Sequence, residues 1–80
     1  MAIWQIELDK RDIDRYRKQL MNRGFVSAHY FSANGFDLDK MRHMAKAGKL
    51  DAVRCIMGKT SSWYYAEAQA ELAHLRGEVG

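Results

Sequence analysis

Between Asp37 and Leu50 the chain reads DLDKMRHMAKAGKL, and this short stretch gathers Lys40, Arg42, His43 and Lys46, side chains suited to meeting an anion. At about 100° per residue these four fall on one arc of a helix together with Asp39, while Leu38, Met41, Met44 and Ala45 fill the opposite arc. Lysine and arginine on an outer arc neutralise phosphate oxygens, and either can read a guanine edge through two hydrogen bonds. Asp37 offers an acceptor to the free amides of the first turn, and Gly48 can take the left-handed conformation that ends a helix. A second polar group follows, with Arg54 and then Lys59, Thr60 and Ser61, all able to bond phosphate oxygens. A third, Arg11, Arg15 and Lys18, lies earlier as a set of possible phosphate contacts, diluted by Asp12 and Asp14.

Other chemistry finds little footing. His29, His43, His74 and the lone Cys55 lack the close ligand pairs of a zinc site, so no metal or cofactor is expected. Asp37 and Asp39, two apart on a helix, point in different directions and cannot act as a carboxylate pair. There is no glycine-rich phosphate loop and no nucleophile elbow. We therefore read the chain as a binding protein with no catalytic residues.

The elements that must position these groups follow from local pattern. Ala2 to Leu8 alternates, with Trp4, Ile6 and Leu8 on one side, which predicts a strand that pairs with a later hairpin. Asp9 opens a helix closed by Gly24, with Ile13, Tyr16 and Leu20 on one stripe and Arg11, Arg15 and Lys18 opposite. Phe25 to Ser32 reads as a short helix, and Asn34-Gly35 supplies positive backbone dihedrals for the turn into the basic helix. After Leu50 the period changes to two. Val53, Cys55 and Met57 alternate, Gly58 to Ser62 forms a polar tip, and Trp63-Tyr64-Tyr65 returns as a strand of core aromatics. Ala66 to Arg76 is a helix expected to close the core through Ala68, Leu72 and Leu75, and Glu78-Val79-Gly80 is expected to fray.

Two capped helices joined by a short turn and followed by a hairpin make a helix-turn-helix with a wing. From Val26 to about Leu75, roughly the last two-thirds of the chain, the sequence resembles excisionase and MerR-like winged helix-turn-helix domains. The residues that carry the resemblance are Ser27, Gly35, Phe36, Asp37, Gly48-Lys49-Leu50, Ala52-Val53-Arg54 and Trp63. The first helix is about one residue short, with Ala28-His29-Tyr30 where acidic residues and alanine are usual, and the hairpin reads as longer than is common. The resemblance implies a family-like core over 25–80 with helix-turn-helix, β-hairpin wing and C-terminal helix. With the N-terminal strand and helix over residues 1–24, which lie outside the resemblance and are read from local pattern, the expected fold is a single small α+β domain. It further implies a small DNA-binding protein of phage or mobile-element type, an excisionase-like architectural factor or transcriptional regulator. The 38–48 helix would enter the major groove and the 52–65 hairpin would act as the wing. The small-terminase DNA-recognition domain of phages is similar in arrangement. A protein-binding adaptor or phage-encoded inhibitor is the alternative of a different class.

Composition bounds these expectations. Eighty residues suit one domain with a small core, and 48% hydrophobic with 29% charged residues is ordinary for a globular domain. The net charge of +3 suits an anionic partner such as double-stranded DNA, and so few contacts favour a homodimer or a cooperative array on it. A single cysteine and no signal-like or membrane-spanning apolar run lead to the expectation of a cytoplasmic protein with no membrane partner.

Overall fold

A computed structural model describes residues 3–80, and Ala2, from which the first strand is predicted, lies outside them. The described elements are β1 (Ile3–Glu7), α1 (Ile13–Asn22), β2 (Phe25–Ser27), α2 (Ala28–Ala33), α3 (Leu38–Lys46), β3 (Ala52–Met57), β4 (Thr60–Ala66) and α4 (Glu67–Leu75). The strands form one sheet in the order β1-β3-β4-β2. β1 runs parallel to β3, while β4 is antiparallel to both β3 and β2. The expected pairing of the first strand with the hairpin is thus present, and the fold is α+β with a mixed sheet.

Alternation along β3 and β4 gives the sheet two buried faces. Val53, Cys55 and Tyr64 point to one side, where Leu20 of α1 completes a cluster joined by Ile6, Leu8, Ile13 and Tyr16. Ala52 and Tyr65 point to the other, where Phe31 of α2, Met41 and Ala45 of α3, and Ala70 and Ala73 of α4 form the larger core. The molecule is therefore three layers, with α1 behind the sheet and α2, α3 and α4 in front.

Several expectations change. Phe25–Ser27, predicted as the start of a helix, is a strand that pairs with Tyr64–Ala66, because a vacant ladder beside β4 outweighs the weak helix propensity of phenylalanine and valine. The helix after it is only Ala28–Ala33, and Ser27 makes no side-chain capping bond. Asn34 keeps a negative φ, so Gly35 alone, at φ 83°, supplies the left-handed residue of the turn. The helix predicted from Asp9 begins at Ile13.

The hairpin is shorter at its tip than its sequence suggests. Met57 pairs with Thr60, leaving a two-residue turn in which Gly58 has φ 60° and Lys59 does not, the glycine-first pattern of a type II′ turn. Thr60 and Ser61 are therefore strand residues, and only Gly58 and Lys59 occupy the tip.

The last helix buries a different face from the one its leucines mark. Ala70 and Ala73 are buried, whereas Leu72 is 52% and Leu75 is 82% exposed. Small side chains let the helix approach the sheet closely, so its alanine face carries the contact. Nor does the terminus fray: Val79 is fully buried, and its carbonyl accepts a 2.6 Å bond from the Asp37 amide. No helix among the described residues is long and apolar enough to cross a membrane.

This packing predicts a reversal of the usual leucine rule. Val79→Ala should lower unfolding free energy by about 2 kcal/mol in urea titrations, whereas Leu75→Ala should change it by less than about 0.5 kcal/mol. Equal losses would contradict the packing described.

Candidate nucleic-acid interface

The sequence-predicted basic helix is built as its pattern requires. Asp37 Oδ1 accepts from the amides of Asp39 at 3.0 Å and Lys40 at 3.2 Å, capping α3. Met41 and Ala45 are buried and Leu38 and Met44 half-buried, which leaves Lys40, Arg42, His43 and Lys46 on exposed positions. Lys40 Nζ also donates to the carbonyl oxygen of Gly80 at 3.3 Å, which holds its ammonium beside the chain terminus.

Arg42 departs from the other three. Its guanidinium carbon lies 5.7 Å from the centre of the Trp63 ring on β4, and that of Arg54 on β3 lies 5.8 Å from the same ring. Both distances are within the range at which a cation is attracted by the indole face. Trp63 in turn stacks on Tyr65, with ring centres 6.1 Å apart and planes 15° from parallel. Arg54 and Trp63 are directly opposite in the ladder, so the aromatic ring and the guanidinium share the front face of the sheet. Arg54 Nε is buried and has no hydrogen-bond partner among the described residues.

Where β2 ends, the outer edge of β4 opens into a cleft of about 510 Å³ lined by Arg17, His29, Arg42, Ser61, Ser62 and Trp63, among others. Arg17 reaches this cleft from α1, its Nε donating to the Tyr64 hydroxyl at 3.0 Å. That bond, with the tyrosine's charge when ionised, raises the pKa of Arg17. Burial pushes the Tyr65 hydroxyl above the usual tyrosine range, partly offset by the charge and hydrogen bond of Arg42. Burial likewise pushes up the Cys55 thiol, with Arg17 pulling it back.

The predicted residues fall into three groups. Lys40, Arg42, His43 and Lys46 lie with Arg54 and Ser61 on the front side of the sheet. Lys59 and Thr60 are exposed at the far end of the hairpin. Arg11, Arg15 and Lys18 are on or beside α1, which packs behind the sheet, so the fold does not bring them to the α3 face. Arg11 and Arg15 also pair with acids, at 3.8 Å from Asp9 and 3.3 Å from Asp12. By contrast, none of Lys40, Arg42, Lys46, Arg54 and Lys59 forms an ion pair with a carboxylate side chain among the described residues.

Two contributors escape the sequence reading. Trp63 is assigned to the core by its alternating position, yet it is half-buried and organises two cations. Arg17 meets Tyr64 across 47 residues of sequence, and no local spacing signals that contact. No protein-family model, curated protein or solved structure matches the chain.

A buried donor without a partner is destabilising, by about 1–3 kcal/mol for a typical group. Arg54→Met, which keeps a long apolar stem and removes that donor, should therefore leave the thermal midpoint unchanged or raise it. A fall of several degrees would show that the guanidinium stabilises the fold.

Proposed function

We propose that the protein binds double-stranded DNA as a winged helix-turn-helix protein of the excisionase-like or regulatory kind, with α3 in the major groove and the β3–β4 hairpin as the wing. The observation that carries this reading is the segregation of charge. Among the described residues Lys40, Arg42, Lys46, Arg54 and Lys59 have no carboxylate side-chain partner, while behind the sheet the three arginines Arg11, Arg15 and Arg17 are each paired with a neighbouring acid and Lys18 alone of the predicted contacts there is not. A positive surface left without internal neutralisation is available to phosphates.

The order of elements from Phe25 to Leu75 supports the same reading: a short strand, a helix, a turn, the basic helix, a hairpin and a closing helix, with the first strand paired to the returning arm of the hairpin. In this arrangement Lys40, His43 and Lys46 face the groove. Arg42 and Arg54, gathered on Trp63, meet the phosphate backbone where it passes between helix and hairpin. Lys59 at the turn, with Thr60 and Ser61 at the start of the returning strand, meets the backbone or the adjacent minor groove.

A protein-binding adaptor is the second reading, favoured by one observation: Tyr30, Leu72 and Leu75 leave exposed apolar side chains on α2 and α4. A gel shift on random duplex at two salt concentrations separates the two. Phosphate binding predicts a steep loss of affinity with salt, and Lys40→Ala with Lys46→Ala should reduce the slope of log affinity against log salt by about 2. No binding at low salt would favour the adaptor, and an unchanged slope in the double variant would remove α3 from the interface.

A further inference from the structure

β1 lies outside the region that the proposed DNA site uses. β1 is an edge strand with β3 as its one neighbour in the sheet. Over its five residues IWQIE it has neither lysine nor proline to blunt that edge, and its one charge, Glu7, stands at the end of the strand. Trp4, which points to the α1 side with Ile6, is 51% exposed. We propose that β1 is a self-association strand, pairing antiparallel with β1 of a second copy about a two-fold axis at Gln5, so that two four-stranded sheets become one.

The register follows from the direction of the main-chain groups. The Leu8 amide donates to the Ile56 carbonyl at 2.9 Å, and the parallel ladder with β3 places Leu8 opposite the residue after Ile56. Main-chain groups alternate in direction along a strand, so Trp4, Ile6 and Leu8 turn theirs toward β3, and Ile3, Gln5 and Glu7 turn theirs outward. Centring the antiparallel pair on Gln5 sets Ile3 opposite Glu7 of the second copy, and Gln5 opposite its equivalent. Every outward-directed residue then meets another outward-directed residue, and each pair exchanges both main-chain hydrogen bonds.

Side chains agree with this register. Trp4 falls opposite Ile6 of the second copy in a non-hydrogen-bonded pair, the type with the closer side chains, which covers the exposed indole with an aliphatic partner. The two Glu7 carboxylates sit about 14 Å apart, four residues along the strand direction, so no like charges face each other. The two Gln5 side chains meet on the front face, where their amides can bond. Because the axis is normal to the sheet, both α3 helices lie on the same side of the continuous sheet. The association itself requires no nucleic acid.

Cysteine cross-linking of the full chain without DNA tests both the association and the register. Opposed residues in a hydrogen-bonded antiparallel pair have Cα atoms about 5.5 Å apart, inside the range of roughly 4.4–6.8 Å that a disulfide spans. Gln5→Cys should therefore form a disulfide-linked dimer under mild oxidation. Glu7→Cys should not, and native Cys55, fully buried, supplies a silent background. Sedimentation of the unmodified chain should show a concentration-dependent dimer, weakened about tenfold by Trp4→Ala as the cross-strand apolar contact is lost. Monomers at every concentration with no cross-linking of Gln5→Cys above Glu7→Cys would overturn the proposal, and equal cross-linking of the two would overturn the register. Dimerisation with no DNA binding would leave the proposal standing and remove only the DNA reading.

Discussion

The structure depends on the two-sided hairpin. β3 and β4 send alternate residues to opposite faces, and both faces are buried, so Val53, Cys55 and Tyr64 hold α1 while Ala52 and Tyr65 hold α2, α3 and α4. A slip of β4 by one residue against β3 would invert the facing of β4, putting Trp63 and Tyr65 against α1 and Tyr64 on the front. The two-residue turn at Gly58-Lys59 prevents that slip, because it fixes Met57 opposite Thr60. A small glycine-led turn thus determines which side chains reach the front of the sheet.

The same alternation shapes the electrostatics. On the back, Arg15 and Arg17 of α1 lie within one turn of Asp12 and Asp14, and at surface sites such pairs contribute little stability while neutralising charge locally. On the front, Arg42 and Arg54 are brought to one aromatic ring without an acid between them, and one nitrogen of Arg54 is left without a partner. Folding gains little from that arrangement, since like charges are drawn together and a buried donor goes unsatisfied. Violations of local satisfaction concentrate where a protein meets a ligand, and a polyanion at this face would offset the repulsion between the two guanidinium groups.

Much of this was legible in the residue pattern, for reasons specific to each element. The cap at Asp37 and the four apolar positions of α3 are local signals, and both the helix and its buried stripe occur where they predict. Strand β2 was not legible, because three residues pair only once β4 is in place beside them. The face of α4 was misread because leucine carries more apolar area than alanine, yet close approach of the helix backbone to the sheet admits only the smaller side chain. The role of Val79 was hidden for a related reason: a terminus looks free until a cavity between α3 and α4 is there to accept it. Within the site, the charges could be read but their grouping could not. The contacts of Arg42 and Arg54 with Trp63 depend on how α3 crosses the sheet, and Arg11, Arg15 and Lys18 are basic in sequence but lie behind it.

The central claim, that a front face of unneutralised cations is the surface that meets DNA, is tested most directly by titrating isotopically labelled protein with a short duplex and following backbone amide and indole signals by NMR. The account predicts that shifts concentrate at Lys40, Arg42, His43, Lys46 and Arg54 and at the Trp63 indole, with Arg11, Arg15 and Lys18 unmoved. Shifts centred on α1, or a spectrum unchanged at duplex excess in low salt, would contradict it.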